Sequence, residues 1–130
     1  MKSFGQPPRV LVGLKDPDVQ AELAFELMRE GYLVDRADSG LQMTARLLGE
    51  PFELVVVDAE LPADNVLEAI APGAEGPCVI VIAREISERL HHDARRLRAV
   101  IVDNFAGPKD LADCAVSLVP PNPFGTPNNP

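Results

Sequence analysis

Charged side chains follow the apolar runs of this chain at the points where strands would end. Lys15 and Asp16 follow the first run, Asp58 follows the third, and Asp103 follows the last. If the runs are parallel strands, their carboxyl ends meet along one edge of a sheet, where open α/β proteins place their chemistry. Carboxylates and an ammonium group at such an edge could hold a metal ion or form ion pairs with one another.

The elements that must position these residues alternate between strand and helix. Four consecutive apolar residues at 54–57, three of them β-branched, indicate a strand that is buried on both faces. The predicted strands are 9–14, 32–36, 54–57, 78–83 and 99–102. The predicted helices are 17–30, 40–48, 64–71, 87–97 and 108–118. Five such repeats predict a parallel sheet with helices on both faces and right-handed crossovers.

Composition narrows the classes of function. The 130 residues include 12 Lys and Arg against 20 Asp and Glu, which gives a net charge of −8. Direct binding of nucleic acid is not expected, because such surfaces carry a basic excess. Cys78 and Cys114 lie far apart with no CxxC motif, which argues against a zinc ribbon. The loop after the first strand lacks the glycine motifs that cradle nucleotide phosphates.

The length predicts one domain, over residues 9–119, preceded by an N-terminal extension at 1–8. Residues 120–130 contain five prolines, three asparagines and no charge, so we expect a disordered tail or linker there. No apolar run is long enough to span a membrane, and the first eight residues contain no apolar signal core. We therefore expect no membrane association and a cytoplasmic location.

Three segments resemble the receiver domains of two-component response regulators. The segment PFELVVVDAELPADN is similar to the family's third strand and phosphoacceptor loop, with Asp58 at the acceptor position and Leu61-Pro62 on the D-x-x-[LM]-P continuation. RVLVGLKDPDVQAELAFELMREGYLVDRADSG is similar to the first strand, first helix and second strand, and GPCVIVIAR to the fourth strand. The resemblance covers about 9–119. It implies a flavodoxin-like (βα)5 fold, a doubly wound parallel five-stranded sheet of order 2-1-3-4-5 in three α/β/α layers.

The chain departs from the family's pattern at the metal-binding positions. Receivers hold Mg²⁺ with acidic residues at the end of the first strand, where this chain has Leu14 and Lys15. Asp16 lies one residue further on and is needed as the cap of the first helix. The resemblance therefore implies that the Mg²⁺ site is lost, and no cofactor is expected.

Three further positions of the phosphorylation pocket also differ. The hydroxyl residue at the end of the fourth strand is replaced by Ile82. The lysine and proline after the fifth strand are replaced by Asp103 and Asn104, with Phe105 next. The aromatic switch position in the fifth strand corresponds to Val100. Only the acceptor position, Asp58, keeps the family's residue.

Compared with the family's pattern, the lysine stands at the end of the first strand instead of the fifth, and an acid stands at the end of the fifth strand instead of the first. We expect the Lys15 ammonium to form an ion pair with Asp58, Asp103 or both, since two neighbouring unpaired carboxylates would repel each other. Each position also has a purely structural interpretation, with Asp58 and Asp103 as turn residues and Lys15 as a solvated loop residue.

These observations predict an atypical receiver that acts as a protein-interaction module and not as an enzyme. The expected surface comprises the fourth helix, the fifth strand and the fifth helix, used for a signalling partner or a homodimer. Residues 84–98 carry five arginines against three acids, so the fourth helix is the basic part of an acidic chain. Two alternatives remain open, a working receiver phosphorylated on Asp58 and a small-molecule pocket at the strand ends.

Overall fold

The computed structural model describes residues 7–61, 66–70, 76–103 and 106–121. Five strands and four α-helices alternate along them, with one 3₁₀ turn after the third strand. The elements are β1 Arg9–Gly13, α1 Pro17–Glu30, β2 Leu33–Arg36, α2 Gly40–Gly49, β3 Leu54–Asp58, the 3₁₀ turn Val66–Ala69, β4 Cys78–Ala83, α3 Glu88–Leu97, β5 Val100–Asp103 and α4 Pro108–Leu118. The strands form one parallel sheet in the order β2-β1-β3-β4-β5, which confirms the predicted topology.

The sheet separates two apolar clusters, one on each face. Leu23 and Leu27 of α1 pack with Leu111 of α4 on one face. Met43 of α2 and Leu90 of α3 pack on the other. The central strands β1, β3 and β4 contribute side chains to both clusters and are buried over most of their length. This three-layer arrangement fixes the carboxyl ends of the strands, because apolar contacts hold each strand from both sides.

The segment between β3 and β4 differs from the prediction. A helix was expected over 64–71, whereas the structure has a 3₁₀ turn at Val66–Ala69. Prolines at 62 and 72 bracket this segment in the sequence, and a proline disfavours the α conformation in the residue before it. Residues 62–65 and 71–75, which include Pro62 and the expected Pro72-Gly73 break, lie outside the described residues. The fourth and fifth predicted helices are therefore α3 and α4.

Local capping explains where the helices begin and end. Asp16 accepts hydrogen bonds from the backbone N–H groups of Asp18 and Val19, and Pro17 occupies the first helical position. Gly31 ends α1 at a φ of 111°, in the left-handed region that glycine tolerates best. The cap at Asp16 was predicted correctly, and it holds Lys15 in the short link between β1 and α1.

Strand ends shift slightly relative to the predictions. β2 begins at Leu33, because the Tyr32 N–H donates to the Leu27 carbonyl and completes the end of α1. β3 extends to include Asp58 itself. Among the described residues, no helix is both long and apolar enough to cross a membrane.

Candidate functional site

The carboxyl ends of β1, β3 and β4 surround a cavity of about 440 Å³. Its lining includes five of the predicted site residues, two further charged side chains and the first turn of α4. The lining residues are Leu14, Lys15, Asp16, Val19, Asp58, Glu60, Ile82, Arg84, Ala106 and Leu111. The fold thus brings together residues that are up to 97 positions apart in the sequence (14 to 111).

Asp58 closes β3 and lies directly opposite Ile82 of β4 in the sheet register. Both of its carboxylate oxygens accept backbone hydrogen bonds. Oδ1 accepts from the N–H of Glu60 at 2.9 Å, and Oδ2 accepts from the N–H of Lys15 at 3.3 Å. The first contact turns the chain immediately after the strand, and the second ties the β3 end to the β1 end.

Lys15 contacts Asp58 through its backbone and not through its side chain. The Lys15 ammonium lies 3.5 Å from Glu60 Oε1, and these side chains are 61% and 42% exposed. Among the described residues, its ion-pair partner is therefore Glu60 instead of Asp58 or Asp103, and the predicted pairing is wrong. The reason is local: the turn held by Asp58 Oδ1 brings Glu60 back over the β1 end.

A buried polar residue supports the end of β1. Gln20 is only 1% exposed, and its Oε1 accepts a 2.6 Å hydrogen bond from the Leu14 N–H. This contact satisfies a buried donor just beyond the last residue of the strand. Gln20 was not among the predicted site residues, although a polar residue on the apolar stripe formed by Leu23, Ala24 and Leu27 is a signal visible in the sequence.

The end of β1 lacks the pair of acidic side chains that would hold a hard divalent cation. Leu14 offers no side-chain oxygen and is buried, and the Lys15 amine is not an oxygen ligand. Asp16 Oδ1 accepts two backbone hydrogen bonds, which commits this side chain to capping α1. Within the part of the chain that the structure describes, no cluster of three or more His, Cys, Asp or Glu side chains is arranged to hold a metal ion.

The end of β4 adds one apolar and one basic group to the cavity. Ile82 is buried, and it lines the cavity beside Asp58 where a receiver would present a hydroxyl. Arg84, two residues further on, is exposed and also lines the cavity. The sequence places Arg84 at the end of the fourth strand, but no role was assigned to it, because no motif marks its position.

Asp103 and Val100 do not line this cavity. β4 lies between β3 and β5, so Asp58 and Asp103 end strands that are not neighbours, contrary to the expectation. Adjacent strands are about 4.8 Å apart, which places the two backbones roughly 10 Å apart. Val100 begins β5 at the opposite end from Asp103. Asn104 and Phe105 lie outside the described residues.

Comparison with known proteins identifies the fold. No family model matches the sequence, and no curated protein matches it. Many solved structures do match. A CheY-like receiver domain protein from Methanospirillum hungatei aligns at a TM-score of 0.72 with 20% identity, covering 85% of this chain and 92% of that one. Chemotaxis response regulator CheY4 of Vibrio cholerae aligns at 0.74 with 15% identity, covering 87% and 99%.

A third structure carries ligands of its own. TrrA of Thermotoga maritima, solved in complex with Mg²⁺-BeF, aligns at a TM-score of 0.69 with 23% identity, covering 86% of this chain and 99% of that one. The sheet order, the three layers and these alignments define the fold as that of a response-regulator receiver domain. More narrowly, it is the CheY-like form of the flavodoxin-like fold; along the described residues, four α-helices pack on the two faces of the five-stranded sheet.

Proposed function

We propose that this chain is an atypical receiver, a signalling domain that works through protein interaction without Mg²⁺-dependent phosphorylation. The observation that carries the proposal is the end of β1, where the buried Leu14 and the Lys15–Glu60 pair lie beside Asp58. A receiver needs acidic metal ligands at this point. Here the neighbouring ammonium supplies a single, solvent-exposed positive charge instead.

The physics of phosphoryl transfer supports this interpretation. Such transfer depends on positioning and on neutralising the charge of the phosphoryl oxygens. The Ile82 side chain cannot donate a hydrogen bond to an incoming oxygen. Both Asp58 oxygens accept a backbone N–H group, and these two hydrogen bonds fix the carboxylate at the turn after β3. These features favour an interaction role over catalysed self-phosphorylation.

We assign the interaction role to α3, β5 and α4, the surface on which receivers signal. α3 carries most of the basic residues of the 84–98 segment. β5 is an edge strand whose four residues are all partly or fully exposed. A signalling partner protein is the proposed occupant, and a second copy of the chain is the alternative.

A titration of the isotope-labelled protein with Mg²⁺ and beryllofluoride, followed by backbone amide NMR shifts, tests the proposal. We expect no saturable shifts around Lys15 and Asp58. The matched variant Leu14→Asp/Lys15→Asp returns two acids to the β1 end and should gain Mg²⁺ binding, provided that its circular dichroism shows a folded protein. Saturable shifts and a phosphorylated Asp58 in the unaltered chain would support the working receiver instead.

A further inference from the structure

The outward face of α3 forms a basic surface on an acidic molecule. An open cavity of about 760 Å³ lies along this face and the loop before it. Its lining contains two imidazoles and two guanidinium groups against one carboxylate. The lining residues are Ile86, Ser87, Glu88, His91, His92, Arg95 and Arg96, and we refer to them as the α3 surface. The chain as a whole carries a net charge of −8.

The helical period aligns these basic groups. Leu90, Ala94 and Leu97 point into the core. On the outer side, His91 lies one turn from Arg95, since residues four apart are neighbours on a helix surface. His92 and Arg96 form a second pair of the same spacing. Both pairs place basic side chains on the outer side of α3, away from the residues that pack the helix against the core.

The two arginines differ in their local contacts. Arg96 is anchored, because it donates to the Leu67 carbonyl at 3.1 Å and lies 3.9 Å from an oxygen of Asp93. Arg95 is exposed and forms no ion pair with any residue that the structure describes. One guanidinium is therefore held in place while its neighbour is available to an incoming acid.

The same surface offers an apolar contact. Ile86 is 59% exposed at the start of the cavity, just before the Ser87 cap of α3. An exposed isoleucine beside basic side chains can bury apolar area while the charges orient a partner. A nucleic acid would make little use of Ile86, and the acidic remainder of the chain would repel it.

We propose that the α3 surface binds an acidic segment of a partner protein, whose carboxylates contact Arg95, His91 and His92 and whose apolar side chain covers Ile86. This names the partner chemistry for the interaction role proposed above and rests on it. Charge complementarity carries the assignment, because the acidic surface of the rest of the chain would steer an acidic partner toward α3.

Fluorescence anisotropy with a short fluorescein-labelled peptide of glutamate and leucine tests the proposal, with amide NMR shifts to locate the peptide. We expect saturable binding, shifts concentrated on α3, and weaker binding as salt is added. The matching peptide of lysine and leucine should not bind there. Binding spread over the whole protein, equal binding of both peptides, or preference for a DNA oligonucleotide over the acidic peptide would overturn the proposal.

Two pairs of variants separate a local site from general electrostatics. Arg95→Glu should weaken binding by about tenfold or more, whereas Arg29→Glu, the same charge change on α1, should alter it by less than about twofold. Ile86→Ser should weaken binding, and Leu48→Ser, on the exposed side of α2, should not. Equal effects within either pair would refute the assignment. If Asp58 proves to be phosphorylated, the proposed function fails while these peptide results stand independently.

Discussion

At the scale of single residues, most differences from the receiver pattern lie at a few positions around Asp58. The departures at Leu14, Lys15 and Ile82 can be identified from the sequence, because the surrounding strands fix which residue stands at each end. The direction of the Lys15 side chain cannot be identified from the sequence. It depends on the turn after Asp58, which places Glu60 within reach of the ammonium. A lysine chain has too many rotatable bonds for spacing alone to select one acid among several.

The exposure of the Lys15–Glu60 pair predicts a small effect on stability. Exposed ion pairs contribute little because water and salt screen them and two long side chains must be ordered. Lys15→Met should therefore change the free energy of unfolding by less than about 1 kcal/mol. Urea denaturation of the variant and the unaltered protein measures this. A loss well above that limit would show that the ammonium compensates a buried carboxylate after all.

Gln20 should contribute more to the free energy of unfolding than Lys15 does, although no binding or catalytic role is assigned to it. Gln20→Ala leaves the buried Leu14 N–H without its acceptor, which should cost about 1–3 kcal/mol in the free energy of unfolding. Gln42→Ala is the matched control, since Gln42 Oε1 accepts from the Asp38 N–H at an exposed site. That change should cost about 0.5 kcal/mol or less. Equal losses in urea denaturation would contradict the role given to burial.

At the scale of elements, pattern and capping residues predict the strands and the α-helices well. Continuous apolar runs identify β1, β3 and β4 because a parallel sheet buries both faces of its central strands. Asp16 and Ser39 cap the starts of α1 and α2, and Ser87, predicted as the first residue of its helix, is the cap of α3. The region between β3 and β4 was predicted wrongly as a helix over 64–71, because its apolar spacing is typical of a helix while the prolines at 62 and 72 limit its length, and the structure has a 3₁₀ turn there.

An ionic cluster joins three of these elements at the opposite end of the sheet from the cavity. Arg9 of β1 forms ion pairs with Asp35 of β2 and with Glu50, the cap at the end of α2. The hydrogen bond from Arg9, together with its charge, lowers the pKa of Glu50 below its ordinary value of 4.5. The sequence gives no sign of this cluster, because its members become neighbours only once the sheet has formed.

The lowered pKa of Glu50 predicts an acid-dependent contribution to stability. A carboxylate with a depressed folded-state pKa stabilises the fold above its unfolded pKa and loses that effect as the pH falls through the folded value. Glu50→Gln should therefore be less stable than the unaltered protein near neutral pH, with the difference vanishing well below pH 4.5. Thermal unfolding across this range, with the exposed Glu22→Gln as control, measures it. A difference that persists unchanged in acid would exclude the ionic explanation.

At the scale of the whole molecule, the basic residues cluster on one face, and a long-range hydrogen bond links the first and last helices on another. The basic α3 surface stands out against the acidic remainder, and the proposed binding of an acidic partner rests on this difference in charge. The helices α1 and α4 pack together on the other side of the sheet. Their ends are joined by Tyr32, whose hydroxyl donates to the Val119 carbonyl, 87 positions away in the sequence. This contact ties the end of the last helix to the first.

Ionisation of Tyr32 should destabilise the fold at alkaline pH. Burial, and secondarily the nearby Glu30 charge, raises the pKa of Tyr32 above its ordinary value of 10.0. The neutral hydroxyl therefore stabilises the fold fully below pH 10, and this contribution is lost as the pH rises toward the folded-state value. Tyr32→Phe removes both the hydrogen bond, at a cost of about 0.5–1.5 kcal/mol near neutral pH, and this part of the alkaline loss.

The composition of the chain allows the ionisation of Tyr32 to be measured by absorbance. The chain contains one tyrosine and no tryptophan, so tyrosinate absorbance reports Tyr32 alone. We expect absorbance to appear at a higher pH in the folded protein than in urea, and to rise together with the loss of helical circular dichroism. The difference between the unaltered protein and Tyr32→Phe isolates the contribution of the tyrosine. Identical titration midpoints in the folded and urea-unfolded states would show that Tyr32 is accessible to water and that its bond to Val119 does not hold α1 and α4 together.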